Sequence, residues 1–300
     1  MNWADSAVLS AAILAAVNII DSHLITKRMP SLQAFLIPAG IIAIIYGGIM
    51  ISLFPPPQDI GATPLLIAIA SSILRGIGIL LFLYVMQTEE VSRVIPVVSI
   101  HPVFVAIMAV PLLGETLAYL EWIAIIITVA GAVLISTKLD WGSVPRWVGK
   151  SLFLPLTASI LLATANLTSK YAMEYISFWN MYAIGALGMA LVFLTASLRP
   201  VAFRQLRSLR RPVPTMSLLV CNETLAPIAA LLLFWSIERG PVSLVSAITG
   251  AQPVFVFIYA LILSRLSSVL LEQRIGRGTM ALRFAAIGMI VGGITIIHLV

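Results

Sequence analysis

The chain has 300 residues, of which 60% are hydrophobic and only 10% charged, with a formal net charge of +6 and a mean hydropathy of +1.07. A water-soluble domain carries about 25% charged residues, so this chain lacks the polar surface to dissolve. Its positive charge is read as loop charge that orients a membrane protein, not as a nucleic-acid footprint. The apolar runs are long and continuous, whereas barrel strands alternate over about ten residues. That leaves membrane-spanning helices of roughly 20 residues each, with every backbone polar group satisfied inside its own segment.

Cut at charges, Pro and Gly, the runs predict ten spans in chain order: 5–26, 31–54, 63–86, 94–113, 117–137, 152–173, 177–197, 214–237, 242–264 and 281–299. The start, Met1-Asn2-Trp3-Ala4-Asp5, has no basic residue, so the first run is read as a retained span and not a cleaved signal. The longer connections, 55–62, 138–151, 198–213 and 265–280, leave no room for a soluble domain. Segment 199–211 interleaves Phe203, Leu206 and Leu209 with arginines, as a basic loop or as a short interfacial helix. The single Cys221 excludes an internal disulfide.

The chain repeats itself at an offset of 151 residues. His101-Pro102-Val103-Phe104-Val105 returns as Gln252-Pro253-Val254-Phe255-Val256. Val91-Ser92 matches Val242-Ser243, Leu80 and Leu81 match Leu231 and Leu232, and Tyr84 matches Trp235. Asn18 pairs with Asn166, and Gly131 with Gly292, at slightly different offsets. The predicted halves are residues 1–137 and 152–300, joined by 138–151. Five spans is an odd number, so the second half enters the membrane from the opposite side. The expected fold is therefore all-α and integral to the membrane, with two inverted-topology five-helix repeats. Secondary transporters share that architecture, with the substrate site near the midplane between the copies.

Leu80 to Val91, the Gly114-Glu115-Thr116-Leu117 turn and a span ending near Gly131 resemble the EamA-type module of the drug/metabolite transporter superfamily. The second half resembles it over Leu231–Gly293, but has Ser264-Arg265-Leu266 and a longer basic loop where the Gly-Glu turn is expected. The resemblance implies ten helices in two modules and carriage of a metabolite. It implies no substrate, because the superfamily moves amino acids, sugars, nucleotide sugars, phosphorylated compounds and drugs. It also implies cytoplasmic termini, whereas the charge bias favours both termini outside an inner or plasma membrane. Lys and Arg crowd the loops after odd-numbered spans, while those after even-numbered spans hold only Arg239.

Ionisable groups within spans are costly and are functional candidates by default. Arg75 sits mid-span, either clamping an anionic substrate group or pairing with an internal acid. Asp21 and Glu223 fall in the same half of the bilayer and are the candidate coupling acids or the partners of Arg75; alternatively Asp21 caps the end of its span near water and Glu223 pairs with backbone. His101 and Gln252 each precede a proline that frees a carbonyl and kinks the helix. They are expected near the midplane, lining a site or satisfying the broken backbone. Asn18 and Asn222 are expected to line the same cavity, or Asn18, like Asn166, only to bridge helices by hydrogen bonds, with Tyr84 and Trp235 as aromatic walls or as lipid-facing packing. Lys170 is expected to snorkel to the interface. Gly288 and Gly292 are expected to pack the fifth span on the tenth, or to form a dimer contact.

Three His and one Cys make a metal site improbable, and neither a P-loop nor a Ser-His-Asp pattern is present, so no cofactor and no enzymatic activity are expected. The leading expectation is a secondary transporter of a small polar metabolite bearing an anionic group. It would work in the bilayer as a monomer or homodimer, with protons or another ion as the driving partner. Two alternatives are a proton-coupled exporter of cationic drugs and a non-transporting membrane subunit or lipid-handling protein.

Overall fold

Why the apolar runs become helices follows from the solvent: in hydrocarbon an unpaired N–H or C=O costs several kcal/mol, and a helix pairs all of them locally. The computed structural model describes residues 2–57, 60–88, 97–136, 153–209, 211–266 and 277–299, and these form helices and short connections. In chain order the helices are α1 (Trp3–His23), continued by a π-helical turn (Leu24–Arg28), α2 (Leu32–Leu53), α3 (Ala62–Thr88), α4 (His101–Leu113), α5 (Tyr119–Ser136) and α6 (Phe153–Ala172). There follow α7 (Phe178–Ser197), α8 (Pro200–Arg207), α9 (Pro212–Arg239), α10 (Val242–Thr249), α11 (Gln252–Leu266) and α12 (Arg277–Leu299). The connecting segment 138–151, residues 94–96 and most of the loop 265–280 lie outside the described residues.

Local signals set the helix ends. Asn2 and Asp5 form a capping box on α1. The Ser31 hydroxyl accepts from the Ala34 N–H at the start of α2, and Ser177 caps α7 in the same way. Gly114 closes α4 with φ of 66°, a left-handed cap that a side chain would strain.

Among the described residues, eight helical segments are long and apolar enough to cross a membrane, with α10 and α11 counted together as Val242–Ile262. The shorter apolar helix α4 is the described part of the predicted fourth span. The predicted sixth span is α6, whose 20 residues suffice in length. Its hydropathy is diluted by groups turned into the protein: Ser159, Asn166 and Ser169 are all buried.

The interfaces follow the repeat. The α3–α6 interface, joining spans three and six, has its counterpart in α1–α9, joining spans one and eight. The α4–α6 contact is likewise matched by α1–α11, while α2–α7 and α5–α12 each pair a span with its own equivalent. Both halves thus contribute to every large interface, and the core lies between them.

Close approach between α5 and α12 depends on small residues. A Cβ on Gly293 would stand 2.1 Å from Thr128 Oγ1, and one on Gly131 would stand 2.8 Å from the Ala286 carbonyl. Gly288 and Gly292 are exposed, with nothing within 4 Å of an added Cβ. The expected packing role therefore belongs to their neighbour Gly293, one residue and about 100° around the helix from Gly292.

Spans four and nine are broken, not merely kinked. Helix α10 ends at Thr249, Gly250 and Ala251 turn, and α11 starts at Gln252 with Pro253 behind it. Residues 99–100 turn at the equivalent place before His101-Pro102. Proline suits the first turn of a helix, where its missing N–H is not needed.

Candidate functional site

Three polar groupings join helices of the two halves. The first surrounds Arg75 on α3. Its Nη2 donates to Asn166 Oδ1 at 2.9 Å and to Ser169 Oγ at 3.5 Å, both on α6. Its guanidinium sits 4.9 Å from the centre of the Phe234 ring on α9, a cation–π distance. Asn166 passes the network on, donating from Nδ2 to Ser246 Oγ on α10 at 3.3 Å. Arg75 Nε is buried with no hydrogen-bond partner. Neither Asp21 nor Glu223 belongs to an ion pair recorded among the described residues; the partners found for Arg75 are neutral.

The second grouping lies at the breaks of spans four and nine. Asn18 Nδ2 donates to Gln252 Oε1 at 2.9 Å and so joins α1 to the start of α11. His101 Nδ1 stands 3.3 Å from the Val98 carbonyl, which the protonated nitrogen serves as donor. That carbonyl belongs to the broken turn, so His101 performs the backbone-satisfying role. The third grouping is Asp21, Asn222 and Glu223, where Asn222 Nδ2 donates to Asp21 Oδ1 at 2.7 Å.

Tyr84 and Trp235 are not brought together. Tyr84 is exposed near the end of α3 and lines a small surface cavity of about 240 Å³ with Leu32, Gln33 and Leu81. Trp235 lies near the far end of α9, where the Arg239 guanidinium covers its ring at 4.4 Å.

Residues outside the predicted set close the face that carries the ends of α4, α6 and α9. Glu115, in the Gly-Glu-Thr-Leu turn, reaches the start of α10 in the other half. Its carboxylate accepts from Val242 N at 2.5 Å, Ser243 N at 3.3 Å and Ser243 Oγ at 2.6 Å. An anion here satisfies orphan N–H groups and opposes the positive end of the helix. Lys170 does not snorkel outward: its Nζ donates to the carbonyls of Ile237, Glu238 and Gly240 at 2.7, 3.1 and 3.0 Å, at the C-terminal end of α9. Glu238 in turn accepts from the Phe178 N–H at 3.0 Å and pairs with Arg239. A vestibule of about 400 Å³ sits over this clasp, lined by Glu115, Thr116, Lys170, Arg239 and Pro241 among others. Sequence carried one signal for it, the Gly-Glu turn, but no hint that the turn's target lies 127 residues downstream.

Residues 2–137 match the profile described as the EamA-like transporter family. Over that stretch the chain is similar to the EamA-like transporter family, and its long apolar helices are those of a multi-pass membrane protein. No curated protein matches it in sequence. A crystal structure of a protein covers 99% of this chain and 95% of its own, with a TM-score of 0.70 at 16% identity. It is one of 22 matching chains, and identity this low speaks for the fold alone.

Proposed function

We propose that the protein is a secondary carrier of a small metabolite bearing a carboxylate or phosphate group, moved by alternating access, with Arg75 as the group that recognises the anion. The observation that carries this reading is the buried, unpartnered Nε of Arg75, on a guanidinium whose hydrogen-bond partners are the neutral Asn166 and Ser169. A charge near the bilayer centre costs roughly 2.5–3.5 kcal/mol on insertion scales. Neutral partners do not neutralise it, so an incoming anion does, through the fork geometry that guanidinium offers. The clasp of Glu115 and Lys170 would act as the closed gate on one face. The excess of Lys and Arg at the opposite face supports placing that face in the cytoplasm and both termini outside.

The competing reading, a proton-coupled exporter of cationic drugs, is favoured by the acids Asp21 and Glu223, which form no ion pair among the described residues. One experiment separates the two. Counterflow is measured in proteoliposomes over panels of anionic metabolites and cationic dyes. Arg75→Ala is expected to lower anion exchange at least tenfold, with partial recovery in Arg75→Lys. Wild-type anion rates in Arg75→Ala, or dye transport lost only in Asp21→Asn, would overturn the anion reading.

A further inference from the structure

One helix crossing occurs twice in the molecule, with different chemistry in each copy. At the 151-residue offset Ser71 corresponds to Asn222 and Ser72 to Glu223; at the 148-residue offset of the Asn18–Asn166 pair, Ser169 corresponds to Asp21. The structure respects this correspondence. Ser71 Oγ and Ser169 Oγ lie 2.7 Å apart across α3–α6, and Asn222 Nδ2 meets Asp21 Oδ1, also at 2.7 Å, across α1–α9. The hydroxyl copy is saturated, since Ser71 also bonds the Ala165 carbonyl at 2.8 Å. The acidic copy is not. Asn222 is 0% exposed, and its Oδ1 has no hydrogen-bond partner.

A buried amide oxygen without a donor is costly, and such groups in native proteins are nearly always satisfied. The missing donor is not a nearby cation: none pairs with either acid among the described residues. Glu223 adjoins Asn222 in the chain, and Asn222 bonds Asp21, so both carboxyls belong to one helix crossing. Like charges placed close together do not both ionise readily. From α2 the Tyr46 hydroxyl donates to Thr224 Oγ1, next to Glu223 in the chain, at 3.2 Å, and the titratable side chain of α7, Tyr182, lies within charge range of Tyr46 and Glu223. Arg75 on α3 is turned to Asn166, the Tyr259 hydroxyl on α11 is bonded to the Ala12 carbonyl, and α10 has no titratable side chain. His23, Lys27 and Arg28 lie beyond Asp21, toward the basic face.

We propose that Asp21, Asn222 and Glu223 form a proton-binding site, with Asp21 as the proton carrier and the Asn222 amide as its reader. A proton arriving from water adds to Asp21 Oδ2. The new O–H donates to Asn222 Oδ1 while Asn222 Nδ2 keeps its bond to Asp21 Oδ1, closing a two-bond acid–amide pair. The single remaining negative charge stays on Glu223. Loss of the proton restores the second charge and reopens the Asn222 oxygen, which loosens α1 from α9. A metal ion is disfavoured as the occupant, because the described residues contain no group of three or more acidic, His or Cys ligands. The inference rests on the carrier reading and names its coupling ion.

The test needs no substrate. Infrared difference spectra of the purified protein in liposomes, taken along a pH titration, read the C=O stretch of a protonated carboxyl. Wild type is expected to keep such a band after exposed carboxylates have ionised, and to lose it at higher pH. Asp21→Asn is expected to abolish the band. Glu223→Gln is expected to move its loss to lower pH by a unit or more, since a neighbouring negative charge is gone. Ser71→Ala is expected to change neither. A band retained in Asp21→Asn, a midpoint unmoved in Glu223→Gln, or a wild-type band removed at constant pH by sodium chloride but not choline chloride would overturn the proposal. A protein that shows the band yet moves no anion in counterflow would keep the proton site and lose the carrier reading; the reverse result would lose only the site.

Discussion

The carboxylate of Glu115 holds the first two N–H groups of a helix in the opposite half of the chain. Loss of an N-cap costs about 0.5–2 kcal/mol. Glu115→Ala is therefore expected to lower the unfolding temperature in detergent. Glu115→Gln should lower it less, since its amide oxygen still accepts but brings no charge to the helix end. Equal melting of both variants and wild type would remove the cap from the account. Arg75, Asp21 and Glu223 were legible from sequence because a charge within an apolar run is rare and expensive. Their partners were not. Counting residues at 1.5 Å each fixes how deep a group lies, but its direction turns by about 100° per residue and depends on how the helix is rotated by its neighbours. Arg75 consequently meets Asn166 and Ser169 on α6, while Asp21 meets Asn222.

Among elements, α12 shows how one residue separates a packing face from an outer face. Gly293 approaches Thr128 on α5, whereas Gly288 and Gly292 look outward. Overpacking a tight contact costs about 1–3 kcal/mol. Gly293→Leu should therefore depress the melting temperature strongly, and Gly288→Leu should leave it near wild type; the reverse order would contradict the packing. Helix α6 illustrates the complementary case. Its polar residues dilute its hydropathy, yet they are the ones that bind α3: Ser169 bonds to Ser71, and the Ala165 carbonyl accepts from Ser71 as well. The breaks of spans four and nine were legible only as proline positions. Whether a proline bends a helix or ends one half and starts another depends on whether nearby groups satisfy the freed backbone, as His101 does at the Val98 carbonyl.

Over the whole molecule, the interfaces exchange under the repeat while the chemistry does not. Acids occupy one copy of the crossing and hydroxyls the other, and Arg75 corresponds at the 151-residue offset to Ala226. The Gly-Glu turn closes one face, and its expected counterpart in the second half is Ser264-Arg265-Leu266. The proposed alternating access would require the clasped face to open. In a Cys221→Ser background, cysteines at Thr116 and Pro241, which line the same vestibule, can be bridged by a short bifunctional reagent. Bridging is expected to stop counterflow, and a cleavable reagent should restore it on reduction. Undiminished flux in the bridged protein would show that this face does not open.

The amino-acid sequence by itself determined the solvent of the protein, the positions of the spans and the existence of the repeat. Each is a one-dimensional property: lipid demands runs of about 20 apolar residues, and a duplicated module leaves its register in the letters. Only the tertiary structure decided which polar groups meet. It showed that Arg75 keeps an unpartnered N–H among neutral neighbours, that Asn222 joins Asp21, and that Glu115 and Lys170 clasp one face. Those pairings depend on helix rotation and crossing, which arise from the summed packing of α1 through α12 and from no single segment of it.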